Sequence, residues 1–372
     1  MKILMISTDR TIFEENSEAR QRMVEYGNLV EELHIIIFSK KDFSQQNFGN
    51  VFIYSTDSLS KWFYMRDAVR IGRKILGSNG KWLITSQDPF ETGWVGYKLS
   101  KIFNIPLQLQ IHTDFLSPYF VQHSMLHRMR VRIAKFLIPR ANCIRVVSER
   151  IKKSLKTKNY KLKTEISVLP IFVDVKKIQE TEVRIDLHKK YPQFDFIILM
   201  ASRLTKEKNI EMIIEVMKNI LKRYPKTGLI ITGFGQEEKN IKHKIKKFKL
   251  NNNIVLENWT DDLISYYKTC DAFLLNSFYE GYGRTAVEAI TSGCVVIMTD
   301  VGIANDIAKD KYNSLIVPVN DRIAMEKAIE KAINDKALRA SISLSSENLS
   351  YKMPSKDEYL KKIKESWETC DC

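Results

Sequence analysis

Short apolar runs rich in β-branched residues alternate with helix-length segments along most of the chain. Runs such as Leu107–Ile111 and Phe196–Ala201 are typical of strands in a parallel sheet that is covered on both faces. A parallel strand reaches its neighbour through a crossover, which is usually helical, so the alternation itself has a structural cause. The pattern therefore predicts an α/β protein in which helices cover both faces of parallel sheets.

The alternation occurs in two series with a polar interruption between them. The first series runs from residue 2 to residue 169, and the second runs from residue 196 to residue 317. The stretch Phe172–Asp195 between them has little periodicity and is mostly polar. Two such series predict two Rossmann-like domains in tandem, which we place at residues 1–175 and 176–354.

Composition and length narrow the class of protein further. Apolar residues make up 44% of the 372 residues and charged residues 28%, which is ordinary for a soluble globular chain and excludes a mainly disordered one. The longest apolar runs, such as Ile35–Phe38, fall far short of the roughly 18 residues that cross a bilayer. The apolar stretch Met1–Ile6 is too short for a signal peptide, so we expect a cytoplasmic protein.

The cysteines give no sign of a disulfide framework or of a metal site. Their number is five, which is odd, and their spacing matches no known framework, so we expect reduced thiols. Cys143 and Cys294 lie in apolar runs and are interpreted as small core residues. Cys370 and Cys372 form a C-x-C without a second Cys or His pair beside them, so no metal is predicted.

The net charge of +15 is concentrated in one stretch of the first half. Residues His123–Lys163 carry 13 basic side chains against one acidic side chain, Glu149. The stretch includes most of a predicted helix, Gln122–Ile138, whose mixture of large apolar residues and cations suits a helix lying on anionic lipid. A packed helix with a solvated basic face is the alternative, and nucleic-acid binding lacks a recognisable module. The cations of this predicted membrane patch are Arg128, Arg130, Arg132 and Lys135.

Ligands of open parallel sheets bind where the strands end, and two strand-to-helix loops of the second series fit such a role. Arg203 and Lys208 follow one strand, and two fixed cations beside a helix amino terminus suit a diphosphate. A solvated loop in a lysine-rich protein is the alternative. Gly233 and Gly235 follow the next strand and would let a ligand approach the backbone closely, although a simple turn also explains them.

A third loop enters the predicted helix Arg284–Thr291 through a glycine-rich turn. Glu280 stands in the turn and could hold sugar hydroxyls, while Glu288, about one turn into the helix, could accept both hydroxyls of a ribose. Free amides at the helix start could hold an anion. A tight turn with two solvated glutamates is the structural alternative. The turn and the helix start contain Gly281, Gly283, Arg284 and Thr285.

These loops together resemble the donor half of the retaining glycosyltransferases of family four, which have the GT-B fold. The resemblance is strong from Phe196 to Asp321 and looser in the first half. Its motifs in the second half are Arg203…Lys208, Gly233-Phe234-Gly235, Glu280-x7-Glu288 and Thr299-Asp300-Val301-Gly302. Its motifs in the first half are His112, Val147-Ser148-Glu149 and Leu169-Pro170…Val173-Asp174.

The sequence departs from the family pattern at several loop positions. The paired glycines common after the first strand are replaced by Ser7–Arg10, which concerns the acceptor side. An acidic residue is common where Phe234 stands, and the glycine near Asn258, the proline at Asn276 and the second glycine at Ile303 are missing. The changes at Asn258, Asn276 and Ile303 affect loop shape around the nucleotide but remove no charged group.

The resemblance implies a GT-B architecture with two Rossmann-like domains facing across a cleft. Residues 1–175 would bind the acceptor, and residues 176–354 would bind a nucleotide-sugar donor. Residues 355–372, which contain an amphipathic helix pattern after Pro354, would pack back on the first domain.

The resemblance also implies a retaining hexosyltransferase that moves a sugar from a nucleotide-diphosphate sugar to a hydroxyl of a lipid-linked or polysaccharide acceptor. Such an enzyme would serve cell-envelope polysaccharide synthesis as a peripheral protein at the inner face of the cell membrane. Arg203 and Lys208 would stabilise the leaving diphosphate without a metal or other cofactor. Glu280 and His112 would contact the donor sugar, and Glu288 the ribose. No covalent nucleophile stands out, so the family's front-face displacement is favoured.

Two other readings remain open at this point. Another GT-B enzyme, such as a sugar-nucleotide epimerase or a phosphorylase, would share the fold, although the pyridoxal lysine motif of phosphorylases is not seen. An inactive scaffold that binds anionic lipid through the basic patch is the alternative from another class. The joint presence of Arg203, Lys208, Glu280 and Glu288 argues against it.

Overall fold

The structure is a computed structural model that describes residues 1–40, 43–77, 80–157, 166–350 and 353–371. The chain divides into two compact units. The first unit comprises Met1–Pro170 together with Ser355–Cys372, and the second comprises Ile171–Pro354.

An eight-stranded sheet lies at the centre of the first unit, in the order β3-β4-β2-β1-β5-β6-β7-β8. Every neighbouring pair is parallel except β3 and β4 at one edge. The strands are β1 Lys2–Ser7, β2 Glu32–Ile37, β3 Gln46–Phe48, β4 Val51–Ser55, β5 Trp82–Ser86, β6 Leu107–Ile111, β7 Cys143–Val146 and β8 Ile166–Val168. The helices are α1 Glu18–Gly27, α2 Tyr64–Leu76, α3 Glu91–Phe103, α4 Pro118–His123, α5 Met125–Leu137 and α6 Glu149–Thr157.

The second unit is built on a six-stranded parallel sheet in the order β11-β10-β9-β12-β13-β14. Two short helices in the linker precede it, α7 Val175–Glu180 and α8 Leu187–Lys190. The strands are β9 Phe196–Ala201, β10 Thr227–Thr232, β11 Ile254–Glu257, β12 Ala272–Leu275, β13 Val295–Thr299 and β14 Ser314–Val317. The helices are α9 Ile210–Arg223, α10 Glu238–Lys247, α11 Leu263–Thr269, α12 Arg284–Thr291, α13 Arg322–Asn334 and α14 Lys336–Ser350.

The predicted fold class, two Rossmann-like α/β domains, is confirmed. The strands β6 and β9 have the predicted bounds and are buried at every position, as expected for a sheet covered on both faces. Helix α12 also has its predicted bounds. The domain boundary was expected at 175/176, and the division in the structure follows Pro170.

The helix predicted at Gln122–Ile138 is interrupted, because Ser124 has an extended backbone between α4 and α5. The Ser124 hydroxyl accepts a hydrogen bond from the His127 amide and caps α5. A serine in this position satisfies one of the free amides of a new helix, so the chain can end one helix and begin another there.

A carboxy-terminal helix, α15 Lys356–Glu368, packs in the first unit and not in the second. Its buried side chains are Tyr359, Ile363 and Trp367, and the Trp367 ring meets the Tyr26 ring of α1 edge-on at 5.9 Å. A capping box formed by Ser355 and Glu358 starts the helix.

A disulfide between Cys143 of β7 and Cys370 corrects the expectation of reduced thiols at Cys143. The two cysteines are 227 residues apart in sequence, and they meet because α15 returns to the sheet of the first unit. Cys270 and Cys294 are free thiols. Cys372 lies outside the described residues.

Removing the Trp367 side chain tests the return of α15. Trp367 is 0% exposed, and Trp→Ala at a buried site leaves a cavity, so Trp367→Ala should lower the free energy of unfolding of the first unit by about 3–5 kcal/mol. Trp62 is 91% exposed, and Trp62→Ala should cost less than about 0.5 kcal/mol. Urea titration followed by circular dichroism measures both. Equal stabilities for the two variants would contradict the packing of α15.

Candidate active site

The loops expected to bind a ligand meet at one edge of the sheet in the second unit. The chain adds β10 and β11 on one side of β9, and then adds β12, β13 and β14 on the other side. The direction of winding therefore reverses between β9 and β12, and a crevice opens at the carboxyl ends of these two strands. The Arg203–Lys208 loop follows β9, and the Glu280 loop follows β12.

Lys208 and Glu280 form an ion pair across this crevice. Lys208 Nζ contacts Glu280 Oε1, and each side chain is only 14% exposed. The Ser277 hydroxyl donates a hydrogen bond of 2.7 Å to the same oxygen. Within the described part of the chain no side chain donates to Glu280 Oε2, so one carboxylate oxygen is held in place and the other is available.

Arg203 is placed differently from Lys208. Its side chain is 74% exposed, and its guanidinium lies 3.5 Å from the Glu207 carboxylate. The backbone carbonyl of Glu207 accepts a hydrogen bond of 2.8 Å from the Phe278 amide, which links this loop to the one after β12. The structure thus brings the Arg203 and Glu280 loops together, and leaves the Arg203 head group in solvent.

The glycines after β10 allow two loop backbones to approach each other. A Cβ atom at Gly233, whose φ is +151°, would lie 1.9 Å from the Ser202 carbonyl oxygen. A Cβ atom at Gly235 would lie 2.3 Å from the Leu204 carbonyl oxygen. Both glycines therefore have a structural role, because only a residue without a Cβ atom lets the two loops lie this close together beside the crevice.

The turn before α12 ends in a residue with a left-handed backbone conformation, which glycine adopts more easily than any other residue. Gly283 has φ +96°, and the space around its missing Cβ is open. It offers no side-chain cap to α12, and the first helical bond is donated by the Ala286 amide to the Gly283 carbonyl at 2.9 Å. The backbone amides of Arg284 and Thr285 precede that bond and lie at the positive end of the helix dipole.

Glu288 is held on both sides. Arg284 Nε donates to its Oε1 at 2.7 Å, and the Tyr267 hydroxyl donates to its Oε2 at 3.3 Å. The Glu288 side chain is 15% exposed, whereas Arg284 is 44% exposed. Burial, followed by the Glu288 charge, raises the pKa of Tyr267 well above its usual value, so its hydroxyl stays protonated and can donate.

Further side chains that could contact a ligand also lie at this edge. The hydroxyls of Ser202 and Thr205 are buried in the β9 loop and find no hydrogen-bond partner in the described chain. Phe234 and Trp259, which follow the neighbouring strands β10 and β11, are 65% and 44% exposed. Phe234 belongs to the Gly233-Phe234-Gly235 motif, whereas Trp259 was missed, and an aromatic residue soon after a predicted strand was the available signal.

His112 lies in the first unit directly after β6, at the carboxyl end of the strand. Its Nε2 is 3.0 Å from Gln110 Oε1. Desolvation of the ring, followed by the charges of Arg145 and Arg22, lowers the pKa of His112 well below its usual value. The imidazole is therefore neutral at pH 7.

Asp88, which follows β5, is a further candidate that the sequence analysis missed. Its carboxylate accepts a hydrogen bond of 2.7 Å from the Phe90 amide, and burial raises the pKa of Asp88 to about 6. An acidic residue two positions after the end of β5 was the available signal.

The basic helix α5 presents three of its four predicted membrane cations to solvent, namely Arg128, Arg132 and Lys135. Arg130 is instead half-buried, and its Nε donates to the Glu91 carboxylate at 2.9 Å. Arg130, which the sequence placed in the predicted membrane patch, therefore has an ionic partner on α3 and helps to hold α5 against that helix. Residues 158–163, which belong to the basic stretch, lie outside the described residues.

The exposed apolar side chains of α5 are concentrated in its first turns. Met125 is 80% exposed, Leu126 is 51% exposed and Met129 is 58% exposed. They lie on the same helix as the exposed cations, so this surface is amphipathic in character.

Neither a multidentate metal cluster nor a bilayer-spanning helix is found in the described ranges. No three His, Cys, Asp or Glu side chains converge there in a way that could hold an ion. None of the helices is both long and apolar enough to cross a membrane.

Comparison with solved structures gives the architecture. The sucrose-phosphate synthase of Thermosynechococcus elongatus superposes with a TM-score of 0.81 at 17% identity, over 99% of this chain and 98% of that one. Anabaena HepE in complex with UDP-glucose superposes with a TM-score of 0.78 at 18% identity, over 99% of this chain and all of the other. The chain has the GT-B fold.

Comparison of sequences finds similarity to glycosyltransferases. Residues 184–348 match the family described as glycosyl transferases group 1. The capsular polysaccharide biosynthesis glycosyltransferase CapM of Staphylococcus aureus is 31% identical over 231 residues, which are 60% of this chain and 58% of CapM. The uncharacterized glycosyltransferase MJ1178 of Methanocaldococcus jannaschii is 26% identical over 91% of this chain and 87% of its own. The similarity to the group 1 glycosyltransferases is carried by residues 184–348.

Proposed function

We propose that this protein is a retaining glycosyltransferase that moves a hexose from a nucleotide-diphosphate sugar to a hydroxyl of a lipid-linked or polysaccharide acceptor. The observation that carries the proposal is the Lys208–Glu280 pair at the reversal of strand order in the second unit. A cation for a phosphate and a carboxylate for sugar hydroxyls stand there side by side, which is what a sugar phosphate requires.

The diphosphate would lie between the β9 loop and the start of α12. Lys208 would approach it from the crevice, and the exposed Arg203 would fold over it from solvent. The unpartnered hydroxyls of Ser202 and Thr205 are hydrogen-bond donors that phosphate oxygens could satisfy. The amides at the start of α12, near Gly281 and Gly283, add the positive end of a helix dipole.

The donor sugar and the ribose would each bind one glutamate. Glu280 presents Oε2 to the sugar hydroxyls, while Lys208 and Ser277 fix its Oε1. Glu288 would accept the ribose hydroxyls, and this requires the more exposed Arg284 to give up its bond to the carboxylate. The exposed rings of Phe234 and Trp259 offer faces on which a base could stack.

The chemical step would be a front-face displacement. The bond from the anomeric carbon to the diphosphate oxygen breaks, the acceptor oxygen bonds to the same face, and the leaving phosphate oxygen takes the acceptor proton. Negative charge therefore grows on the diphosphate in the transition state, where Arg203 and Lys208 stabilise it. No metal is assigned to this step, because Lys208, Arg203 and a helix terminus can balance the charge. His112, neutral at pH 7, would contact the donor sugar.

The proposed class of acceptor is supported by the exposed side chains of α5. The name of CapM assigns that protein to capsular polysaccharide biosynthesis. The name of a similar Escherichia coli protein describes a galactosyltransferase that acts on a diphosphoundecaprenol-linked sugar. An amphipathic helix with exposed cations in the amino-terminal unit suits an enzyme that meets such an acceptor at an anionic membrane surface. These features support our proposal of a cytoplasmic protein that is peripheral to the inner face of the cell membrane.

Charge reversal on α5 tests the membrane surface. Arg128→Glu, Arg132→Glu and Lys135→Glu together should abolish binding to vesicles that contain acidic lipid, because each exposed cation contributes about 1 kcal/mol near such a surface. Cosedimentation measures this binding, which should weaken between low and moderate salt. The matched control reverses three exposed lysines of α10, Lys239, Lys246 and Lys247, and should leave vesicle binding intact. Wild-type protein that ignores acidic vesicles at low salt would refute the membrane patch.

A donor screen tests the proposed activity at its first step. A nucleotide sugar that binds only the folded protein raises its melting temperature, so a panel of UDP- and GDP-sugars should reveal the donor by thermal shift. Release of nucleoside diphosphate from that donor would then distinguish a transferase from an inactive scaffold. A product that is an isomerised nucleotide sugar, without release of diphosphate, would instead identify an epimerase.

A further inference from the structure

A row of buried polar side chains lies on the sheet of the first unit, between α15 and His112. Thr85 of β5 is 0% exposed, and Gln108 and Gln110 of β6 are 1% and 2% exposed. They share one face of the sheet, because Thr85 pairs with Gln108 and the glutamines stand two positions apart on one strand. Polar groups in such a place need partners, and these groups bond to one another.

The hydrogen bonds form a continuous network from α15 to His112, which we call the relay. Gln108 Nε2 donates to the backbone carbonyl of Ser366 in α15 at 2.8 Å, and Gln108 Oε1 accepts from the Thr85 hydroxyl at 2.9 Å. The Thr85 oxygen accepts from Gln110 Nε2 at 2.8 Å. Gln110 Oε1 lies 3.0 Å from His112 Nε2, and this contact is the last of the relay.

The chemistry of its two ends fixes the direction of every bond. A backbone carbonyl can only accept, so Gln108 must turn its amino group toward Ser366. At the other end, the guanidinium of Arg145 donates from Nη2 to Gln110 Oε1, and a guanidinium can only donate. The orientations of both amides are thus set independently from opposite ends, and they agree.

The consequence falls on His112. Gln110 Oε1 has no hydrogen to give, so the 3.0 Å contact exists only if His112 Nε2 carries the proton. A neutral imidazole protonated on Nε2 has its lone pair on Nδ1. We propose that the relay Ser366–Gln108–Thr85–Gln110, with Arg145, positions His112 as the Nε2–H tautomer and makes Nδ1 an acceptor for a substrate hydroxyl.

Arg145 supports the relay electrostatically as well as by its bond. It is 5% exposed on β7, one strand away from Gln110, and its Nη1 has no hydrogen-bond partner in the described chain. No carboxylate pairs with Arg145 among the described residues, and an unpaired buried guanidinium is costly, so its position beside His112 asks for a reason. Its charge disfavours a second cation on the imidazole, and so keeps the ring neutral and able to accept.

The relay also gives α15 a role beyond packing. The Ser366 carbonyl is its fixed end, and the buried Trp367 and the Cys143–Cys370 disulfide hold that part of the chain against the same sheet. The carboxy-terminal return thereby reaches a site residue through three side chains. The tautomer follows from the first unit alone, and only its use by a sugar hydroxyl rests on the proposed function.

Nitrogen NMR of ¹⁵N-histidine protein tests the relay directly. The chain has six histidines, and the His112 resonances are those lost in His112→Ala. Long-range correlations at pH 7 should show Nε2 protonated and Nδ1 unprotonated in wild-type protein. Gln110→Leu, which removes the oxygen that accepts from His112 Nε2, should give a mixture of the two tautomers. A wild-type ring protonated on Nδ1 would overturn the proposal whether or not the enzyme is active, and whether or not Gln110→Leu folds.

Kinetics then distinguish positioning from stability. Gln110→Leu should lower kcat by about tenfold, the scale of losing a partner that orients a functional histidine, while the donor KM changes less than about twofold. Ser100→Ala removes a hydroxyl of α3 that donates to the Ile105 carbonyl, and it should change neither value. A mixed tautomer with unchanged kcat would leave the relay standing and refute the use of His112 Nδ1 in catalysis.

Discussion

Lys208→Ala should lower the turnover number by at least about a hundredfold, the scale of losing one preorganised donor to a growing negative charge. The expectation follows from the position of Lys208 at the crevice between β9 and β12, where its only described ionic partner is Glu280. The ammonium is half-buried there and loses little freedom when the leaving diphosphate forms. Steady-state rates of nucleoside diphosphate release at saturating donor measure the effect.

Lys206→Ala provides the matched control, because Lys206 is an exposed lysine of the same short helical turn. It should keep near-normal turnover. Arg203→Ala should also lose about a hundredfold, and the double variant should lose less than the product if both cations serve one diphosphate. Near-normal turnover in both single variants would place the diphosphate elsewhere.

Glu288→Ala should weaken binding of the donor nucleotide sugar by about a hundredfold, since two hydrogen bonds to a charged group each contribute roughly 1.5–3 kcal/mol and some of this is offset by the freed Arg284. Stability should change much less, because the carboxylate is paired mainly with the exposed Arg284. Titration calorimetry with the donor, together with a melting curve, separates the two effects.

Glu238→Ala is the control for this change. Glu238 pairs with Lys242 across one turn of α10, as Glu288 pairs with Arg284 across one turn of α12, but away from the glycine-rich turn. Its donor affinity should equal that of the wild type. If Glu288→Ala binds the donor as tightly as Glu238→Ala, the ribose assignment is wrong.

The sequence predicted those parts of the fold that local patterns determine. Continuous apolar runs such as Phe196–Ala201 are buried strands because a parallel sheet covered by helices offers no polar face. The edge strand Gln46–Phe48 was missed, because it is polar and half-exposed and so carries no such signal. The glycines before α12 were informative, since a left-handed turn at a helix start requires one.

Contacts between distant parts of the chain could not be predicted in the same way. The Lys208–Glu280 pair joins residues 72 positions apart, and only the resemblance to a family suggested that they meet. The pairing of Arg130 with Glu91 depends on how α5 packs on α3. The sequence of the helix does not reveal this packing, so Arg130 was included in the predicted membrane patch.

The relay to His112 did leave a trace in the sequence. The strand Leu107–Ile111 reads Leu-Gln-Leu-Gln-Ile, and glutamines are unusual inside a strand that is buried on both faces. Arg145 in the next strand is a second polar residue at a buried position. Polar interruptions of this kind mark places where a partner must exist, although the partner itself, the Ser366 carbonyl, is about 260 residues away.

Acceptor-dependent release of nucleoside diphosphate tests the central claim most directly. The donor found by thermal shift is incubated with wild-type protein and with Lys208→Ala, each with and without a membrane lipid extract and a cell-wall glycan fraction. Wild-type protein should release nucleoside diphosphate when an acceptor fraction is present and transfer the labelled sugar to it, and Lys208→Ala should do so at least about a hundredfold more slowly. A wild-type protein that binds the donor but transfers no sugar, or a Lys208→Ala variant that matches it, would contradict the account.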